Sequence, residues 1–149
     1  MKKIVLDFDD FSVLNNRLDL LMRLKESYPK LKLSLFTIPY DFTYESNPAG
    51  RIMRDKTLEM IKSQLDWIEL IPHGLTHFYK EFEKCDYKTM KENVIPAIGE
   101  VFKKDGLPYV KGFKPPFWLW NEEVVKALDD SGWWGAVDRM ASLKTKKYY

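Results

Sequence analysis

The sequence predicts an α/β fold with about five parallel strands. Short apolar runs, typical of buried strands, alternate with stretches that carry apolar residues at the three- and four-residue spacing of helices. Strands that alternate with helices form parallel sheets through right-handed crossovers. The pattern fits either an open doubly wound sheet or part of a closed barrel. In both, functional groups gather beyond the carboxyl ends of the strands.

The predicted elements follow one another with short connections and one long loop. In chain order they are strand 4–6, helix 15–29, strand 33–38, loop 40–50, helix 54–65, strand 67–71, helix 86–104, strand 109–113, helix 121–132 and strand 133–137. Pro96 is expected to kink or interrupt the longest helix, and Asn121 is expected to cap the last one.

Length and composition predict one domain that spans residues 1–149. A chain of 149 residues with 45% hydrophobic and 15% aromatic residues can bury one real core, and two cores are not expected. We expect this domain to be incomplete at its carboxyl-terminal end. The 24 Lys and Arg residues against 22 Asp and Glu residues leave a formal charge of only +2, and the two signs are interspersed along the chain. We therefore expect no nucleic-acid partner, and the sequence indicates no protein partner.

The amino terminus carries no recognisable targeting segment. The apolar run after Lys3 ends at Asp7, which is too short for a signal-peptide core or a membrane span. Cys85 is the only cysteine and cannot form an internal disulfide, which fits a reducing compartment. The sequence therefore predicts a cytoplasmic location, unless a leader has been removed from a longer precursor.

The only two histidines of the chain, His73 and His77, follow a predicted strand directly. In the first turn of a helix, this four-residue spacing places both imidazoles on one face, within reach of one cation. The alternative is a surface loop that happens to hold two polar residues.

Carboxylates follow another predicted strand, at Asp7, Asp9 and Asp10. Because the ends of parallel strands converge on one surface, one Asp and the two histidines can form an open metal site. Such a site lowers the pKa of a water molecule and polarises a carbonyl. The alternative is a solvated acidic loop or a helix cap.

Three motifs together resemble the polysaccharide deacetylases, the family with a NodB-type homology domain, also called carbohydrate esterase family four. Phe8-Asp9-Asp10 is similar to the first family motif, and the His73–His77 segment to the second. Lys114-Pro115-Pro116-Phe117-Trp118 is similar to the third, although the family usually has Arg at the position of Lys114. The resemblance covers essentially the whole chain and implies a partial or distorted (β/α) barrel.

The resemblance also implies a role for each matched residue. Asp10, His73 and His77 would bind a divalent metal, expected to be zinc, and Asp9 would be the general base. Lys114 would orient Asp9, and the backbone near Phe117 would contribute to the oxyanion site. A lysine lacks the planar fork with which Arg grips a carboxylate.

Aromatic residues near the third motif can serve either the substrate or the core. Trp118 and Trp120 are candidates for stacking on a sugar ring, whereas Trp133 and Trp134 are better explained as core residues. A fourth family motif matches Asp138 only loosely. The fifth motif supplies a late histidine as general acid, and this chain has no histidine after His77.

These features favour a metal-dependent hydrolase that removes acetyl groups from N-acetylated sugars, with a carbohydrate as its substrate. The first alternative is a metal- or carbohydrate-binding remnant that lacks the general acid and does not catalyse. The second is another metal-dependent amidohydrolase that acts on a small molecule. The missing late histidine is the feature that separates the deacetylase from the remnant.

Overall fold

Three strands form the main sheet of the computed structural model, which describes residues 6–14, 17–43 and 48–136. Strands β1 (Leu6–Phe11), β2 (Leu33–Thr37) and β3 (Ile68–Pro72) lie in the order β1-β2-β3, and both pairs are parallel. All five residues of β2 are buried. This pattern is typical of a central parallel strand that is covered on both faces.

Two short strands, β4 (Gly112–Phe113) and β5 (Trp134–Gly135), form a second parallel pair. Hydrogen bonds join the segment around β4 to β3, from the Val110 amide to the Leu70 carbonyl at 2.9 Å and from the Lys114 amide to the Pro72 carbonyl at 3.1 Å. The prediction of a parallel α/β fold is therefore confirmed. Within the described ranges the strands do not close a barrel.

The helices connect these strands. Their bounds are α1 (Leu18–Ser27), α2 (Pro48–Lys62), the short α3 (Tyr87–Thr89), α4 (Ile95–Lys104) and α5 (Glu122–Asp130), with 3-10 turns at Pro39–Thr43 and Pro116–Trp118. The predicted loop over 40–50 is wrong in part, because a 3-10 turn lies at its start and α2 begins before its end. Pro48 suits the first turn of a helix, where its missing N–H needs no partner.

The helical path from α3 to α4 continues through Pro96, but its regular α-helical pattern is interrupted just before this residue, where the sequence predicted a kink or an interruption. A π-helical segment, Met90–Val94, joins the two helices, and Pro96 lies in the first turn of α4. The wider π turn accommodates a residue that cannot donate the regular backbone hydrogen bond.

Strand β1 continues through the acidic residues, whereas the sequence placed them in a loop after the strand. Its pairing with β2 shifts between Phe8 and Phe11, and Asp10 has a φ of 58°. Neighbouring side chains of a regular strand point to opposite faces. A bulge changes this alternation, so two consecutive carboxylates can serve the same site.

The core lies between the sheets and the helices. Its largest fully buried side chains are Leu18, Leu35, Ile61, Leu70, Ile71, Phe82, Met90, Ile98, Phe102, Phe113 and Leu128. Trp133 is buried and belongs to this cluster, as the sequence suggested, while Trp134 is only partly buried. The Trp134 ring covers Gly112, where an added Cβ would overlap the ring carbons. None of the described helices is both long and apolar enough to cross a bilayer.

Asn121 joins the start of α5 to a loop far away in the sequence. Its side-chain oxygen accepts a hydrogen bond from the Val124 amide at 3.1 Å, which confirms the predicted cap. Its amide nitrogen lies 3.2, 3.0 and 3.0 Å from the carbonyl oxygens of Phe82, Glu83 and Cys85. One side chain therefore supports both the helix and the loop.

We predict that Asn121→Ala lowers the free energy of unfolding by about 2–4 kcal/mol, because it removes the cap and the loop contacts. Asn121→Ser is the matched control, since serine keeps the cap and loses only the amide donors. Its expected loss is about 1–2 kcal/mol. Urea denaturation measures both, and equal stability of the two variants would contradict this dual role.

Candidate functional site

The carboxyl ends of β1 and β3 bring one carboxylate and two imidazoles together. Asp10 Oδ1 lies 3.2 Å from His73 Nε2 and 2.8 Å from His77 Nε2. The three ligand atoms lie within 4.8 Å of one another. The structure thus assembles the set that the sequence assigned to a metal, from segments more than sixty positions apart in the chain.

The segment from His73 to His77 is an irregular loop, so the predicted first turn of a helix is wrong. Gly74 has a φ of 71° and His77 a φ of 62°, both in the left-handed region. The two rings nevertheless approach each other, with centroids 4.9 Å apart. Backbone turns, and not helical periodicity, place the two histidines on one side.

His73 is buried and its ring has a fixed orientation. Its Nδ1 lies 2.8 Å from the Lys114 carbonyl oxygen, which can only accept, so Nδ1 carries the proton. Burial lowers the pKa of His73, because desolvation disfavours the imidazolium ion; the nearby carbonyl and the Asp9 charge oppose this shift. A neutral ring with an Nε2 lone pair that faces Asp10 is suited to bind a cation.

Lys114 holds the second carboxylate of the pair. Its Nζ lies 2.7 Å from both carboxylate oxygens of Asp9, although the Lys114 side chain is only 7% exposed. The ammonium also lies 4.6 Å from the ring centroids of Phe36 and Trp118. This ion pair and the two aromatic faces offset the cost of burying the charge.

The aromatic residues that follow Lys114 differ in their positions. Phe117 lies beside the site, with its ring centroid 5.0 Å from that of His77 and 5.4 Å from that of Tyr79. Phe117 and Trp118 both have positive φ values and remain about half exposed. Trp120 is partly buried, and none of the described ring contacts joins it to the site residues.

The overall arrangement matches known structures. The chain aligns with the Xyl-CE4 domain of a multidomain xylanase from the hindgut metagenome of Trinervitermes trinervoides, with a TM-score of 0.61 and 21% identity over 83% of this chain and 52% of that one. A family 4 carbohydrate esterase from Streptomyces lividans, in complex with acetate, aligns with a TM-score of 0.63 and 16% identity, over 89% of this chain and 60% of that one. The chain has the fold of the family 4 carbohydrate esterases.

A third structure with this esterase fold is a CE4 family pseudoenzyme from Bacillus anthracis. It aligns with a TM-score of 0.61 and 16% identity, over 88% of this chain and 41% of that one. The chain therefore spans about half the length of these esterase-fold structures. No protein-family model matches the chain, and a search of curated protein sequences also gives no match.

Two residues around the site were not found from the sequence. Phe36 on β2 faces the Lys114 ammonium, and its apolar strand context gave no sign of this contact. Glu81 accepts hydrogen bonds from the backbone of the histidine loop. The sequence offered one signal for Glu81, which is a carboxylate that follows a glycine-containing loop by a few residues. Asp138, the loose match to a fourth motif, lies outside the described residues.

We predict that His73 in the metal-free protein is neutral at pH 7, because burial lowers its pKa. Its proton should lie on Nδ1, because the Lys114 carbonyl oxygen can only accept a hydrogen bond. Long-range ¹H–¹⁵N correlation spectra distinguish the two tautomers. A His77→Gln variant assigns the signals, since it leaves only one histidine. A neutral ring with its proton on Nε2 would contradict the orientation, and a doubly protonated ring at this pH would contradict the lowered pKa.

Proposed function

We propose that Asp10, His73 and His77 bind one divalent cation, with zinc as the expected metal. One carboxylate oxygen and two imidazole nitrogens are ligands that zinc favours, and their atoms lie within 4.8 Å of one another. The hydrogen bond from His73 Nδ1 to a backbone carbonyl is the support that metal-binding histidines usually have. Three protein ligands with open positions are typical of catalytic sites.

We further propose that the chain is a hydrolase that removes acetyl groups from N-acetylated sugars. One observation carries this proposal: Asp9, next to the metal ligand Asp10, is held through both of its oxygens by the buried Lys114. An oriented carboxylate beside a cation site is the arrangement that acyl-group hydrolysis needs. The esterase fold agrees with this chemistry.

In the proposed reaction, water attacks the acyl carbon while a carboxylate oxygen of Asp9 accepts its proton. The bond from the acyl carbon to the sugar nitrogen then breaks, and the proton held by Asp9 passes to that nitrogen as the amine leaves. The Lys114 ammonium keeps the Asp9 carboxylate in place through contacts with both of its oxygens. When bound, the cation lowers the pKa of water and offsets negative charge on the acyl oxygen. The backbone around Phe117 is proposed to stabilise the same oxygen, because this residue lies beside His77.

The substrate is proposed to contact the exposed aromatic residues at the edge of the site. The Phe117 and Trp118 side chains are 50% and 42% exposed, so each ring retains surface on which a sugar can stack. The Trp118 ring also faces the Lys114 ammonium. Trp120 is a second candidate for stacking on the sugar, although none of the described ring contacts joins it to the site residues.

A non-catalytic remnant is the second candidate function. The fold of this chain is also that of a CE4 family pseudoenzyme from Bacillus anthracis. Such a protein would bind metal or carbohydrate through the same residues and release no acetate. Both candidate functions use the same metal site, but only the hydrolase would turn over a substrate.

We predict that the chain binds about one zinc ion and that His73→Ala, His77→Ala and Asp10→Asn each abolish this binding, because each removes a ligand. Titration calorimetry of the metal-free protein measures the effect. Asp7→Asn is the matched control, since Asp7 lies on the same strand and outside the ligand set. Unchanged zinc binding in the ligand variants would reject the site.

We predict that Asp9→Asn lowers acetate release from chitooligosaccharides by about a hundredfold or more, while zinc stays bound, because a general base contributes at least this factor. Lys114→Met should cause a similar loss, and Lys114→Arg should retain activity because it keeps the positive charge. Zinc binding with no acetate release by the wild-type chain would favour the remnant. Full activity of Asp9→Asn would show that another group is the base.

A further inference from the structure

Glu81 lies four positions after His77 and reaches back to the histidine loop. Its Oε1 accepts hydrogen bonds from the amides of Leu75 and Thr76 at 3.2 and 3.0 Å, and from the Thr76 hydroxyl at 3.0 Å. Its Oε2 accepts from the His77 amide at 3.1 Å. One carboxylate therefore binds three consecutive backbone amides between the two histidines and includes the amide of His77 itself.

Consecutive amides that converge in this way form an anion-binding concavity. In this chain the concavity is filled by the protein's own carboxylate. The loop needs such support, because His77 has a φ of 62°, a conformation that residues other than glycine rarely adopt. The charge-assisted hydrogen bond to the His77 amide acts directly on the strained residue.

Pro116 and Glu81 pack closely against Gly74 and leave this part of the loop little room to move. A Cβ added at Gly74 would lie 2.6 Å from Cγ of Pro116 and 2.8 Å from Oε2 of Glu81. The carboxylate of Glu81 and the proline of the third motif thus both occupy the space that a side chain at position 74 would need. The loop conformation therefore depends on contacts with both Glu81 and Pro116.

We propose that Glu81 is a positioning residue that sets the spacing of His73 and His77 before a cation binds. The inference rests on the proposed metal site and adds the residue that holds its two histidines in place. Both imidazoles already face Asp10 Oδ1, at 3.2 and 2.8 Å. Without Glu81, zinc has to order the loop as it binds, and this ordering cost lowers its affinity.

The test compares zinc affinity of the metal-free full chain with that of Glu81→Gln, by competition with a chromophoric chelator. Glutamine keeps the size of the side chain but has one acceptor oxygen and no charge. We expect about ten- to hundredfold weaker binding, the usual effect of losing support behind a metal ligand. The visible spectrum of bound Co²⁺ should also change, because the imidazoles no longer hold one geometry.

Matched variants separate positioning from general stability. Glu83→Gln is the control, because Glu83 forms an ion pair with the exposed Lys80, away from the histidine loop; it should bind zinc like the wild type. Thr76→Val should weaken binding by about fivefold, the effect of one hydrogen bond, and Thr76→Ser should restore it. Thermal unfolding of each metal-free variant reports the effect on the fold.

Wild-type zinc affinity and Co²⁺ spectrum in folded Glu81→Gln would overturn the proposal. A wild-type chain that binds no zinc would overturn it together with the metal site. A third outcome is that the wild-type chain binds zinc and Glu81→Gln binds it more weakly as expected, while neither protein releases acetate. In that case only the hydrolase proposal fails and the role of Glu81 stands. Equal losses in Glu83→Gln and Glu81→Gln would also contradict the proposal, because the effect would then not depend on the loop contacts.

Discussion

Lys114 joins the two halves of the candidate site through both its side chain and its backbone. Its ammonium holds Asp9, and its carbonyl oxygen accepts the Nδ1 hydrogen of His73. Its amide donates to the Pro72 carbonyl, which ties the segment to the end of β3. A shift of this one residue would move the proposed base and a proposed metal ligand together, so the site depends on its burial between Phe36 and Trp118.

Two departures from regular structure complete the site. The irregular pairing of β1 around Asp10 lets neighbouring carboxylates act on the same side, where one faces the histidines and the other faces Lys114. The loop from His73 to His77 contains residues in the left-handed region, and Glu81 and Pro116 pack against it. Strained backbone of this kind is common where a site needs side chains in fixed positions.

The sequence predicted the parts of the protein that depend on local pattern or on strand direction. Asn121 as a helix cap follows from its side chain, and the meeting of Asp10 with the histidines follows from the convergence of parallel strand ends. The loop conformation around His77 could not be predicted, because contacts from Glu81 and Pro116 override the four-residue spacing. The extension of β1 through the carboxylates was missed for a related reason: the strand pairs with β2 before and after Asp9 and Asp10, and the low strand preference of Asp does not reveal this pairing.

The central claim is that Asp10, His73 and His77 form one cation site beside the Asp9–Lys114 pair. Anomalous diffraction from crystals of the zinc-loaded chain tests it most directly. The account predicts one strong peak bonded to Nε2 of both histidines and to a carboxylate oxygen of Asp10, with Asp9 still held by Lys114. Zinc bound at other residues, or crystals with no peak between these three side chains, would contradict it.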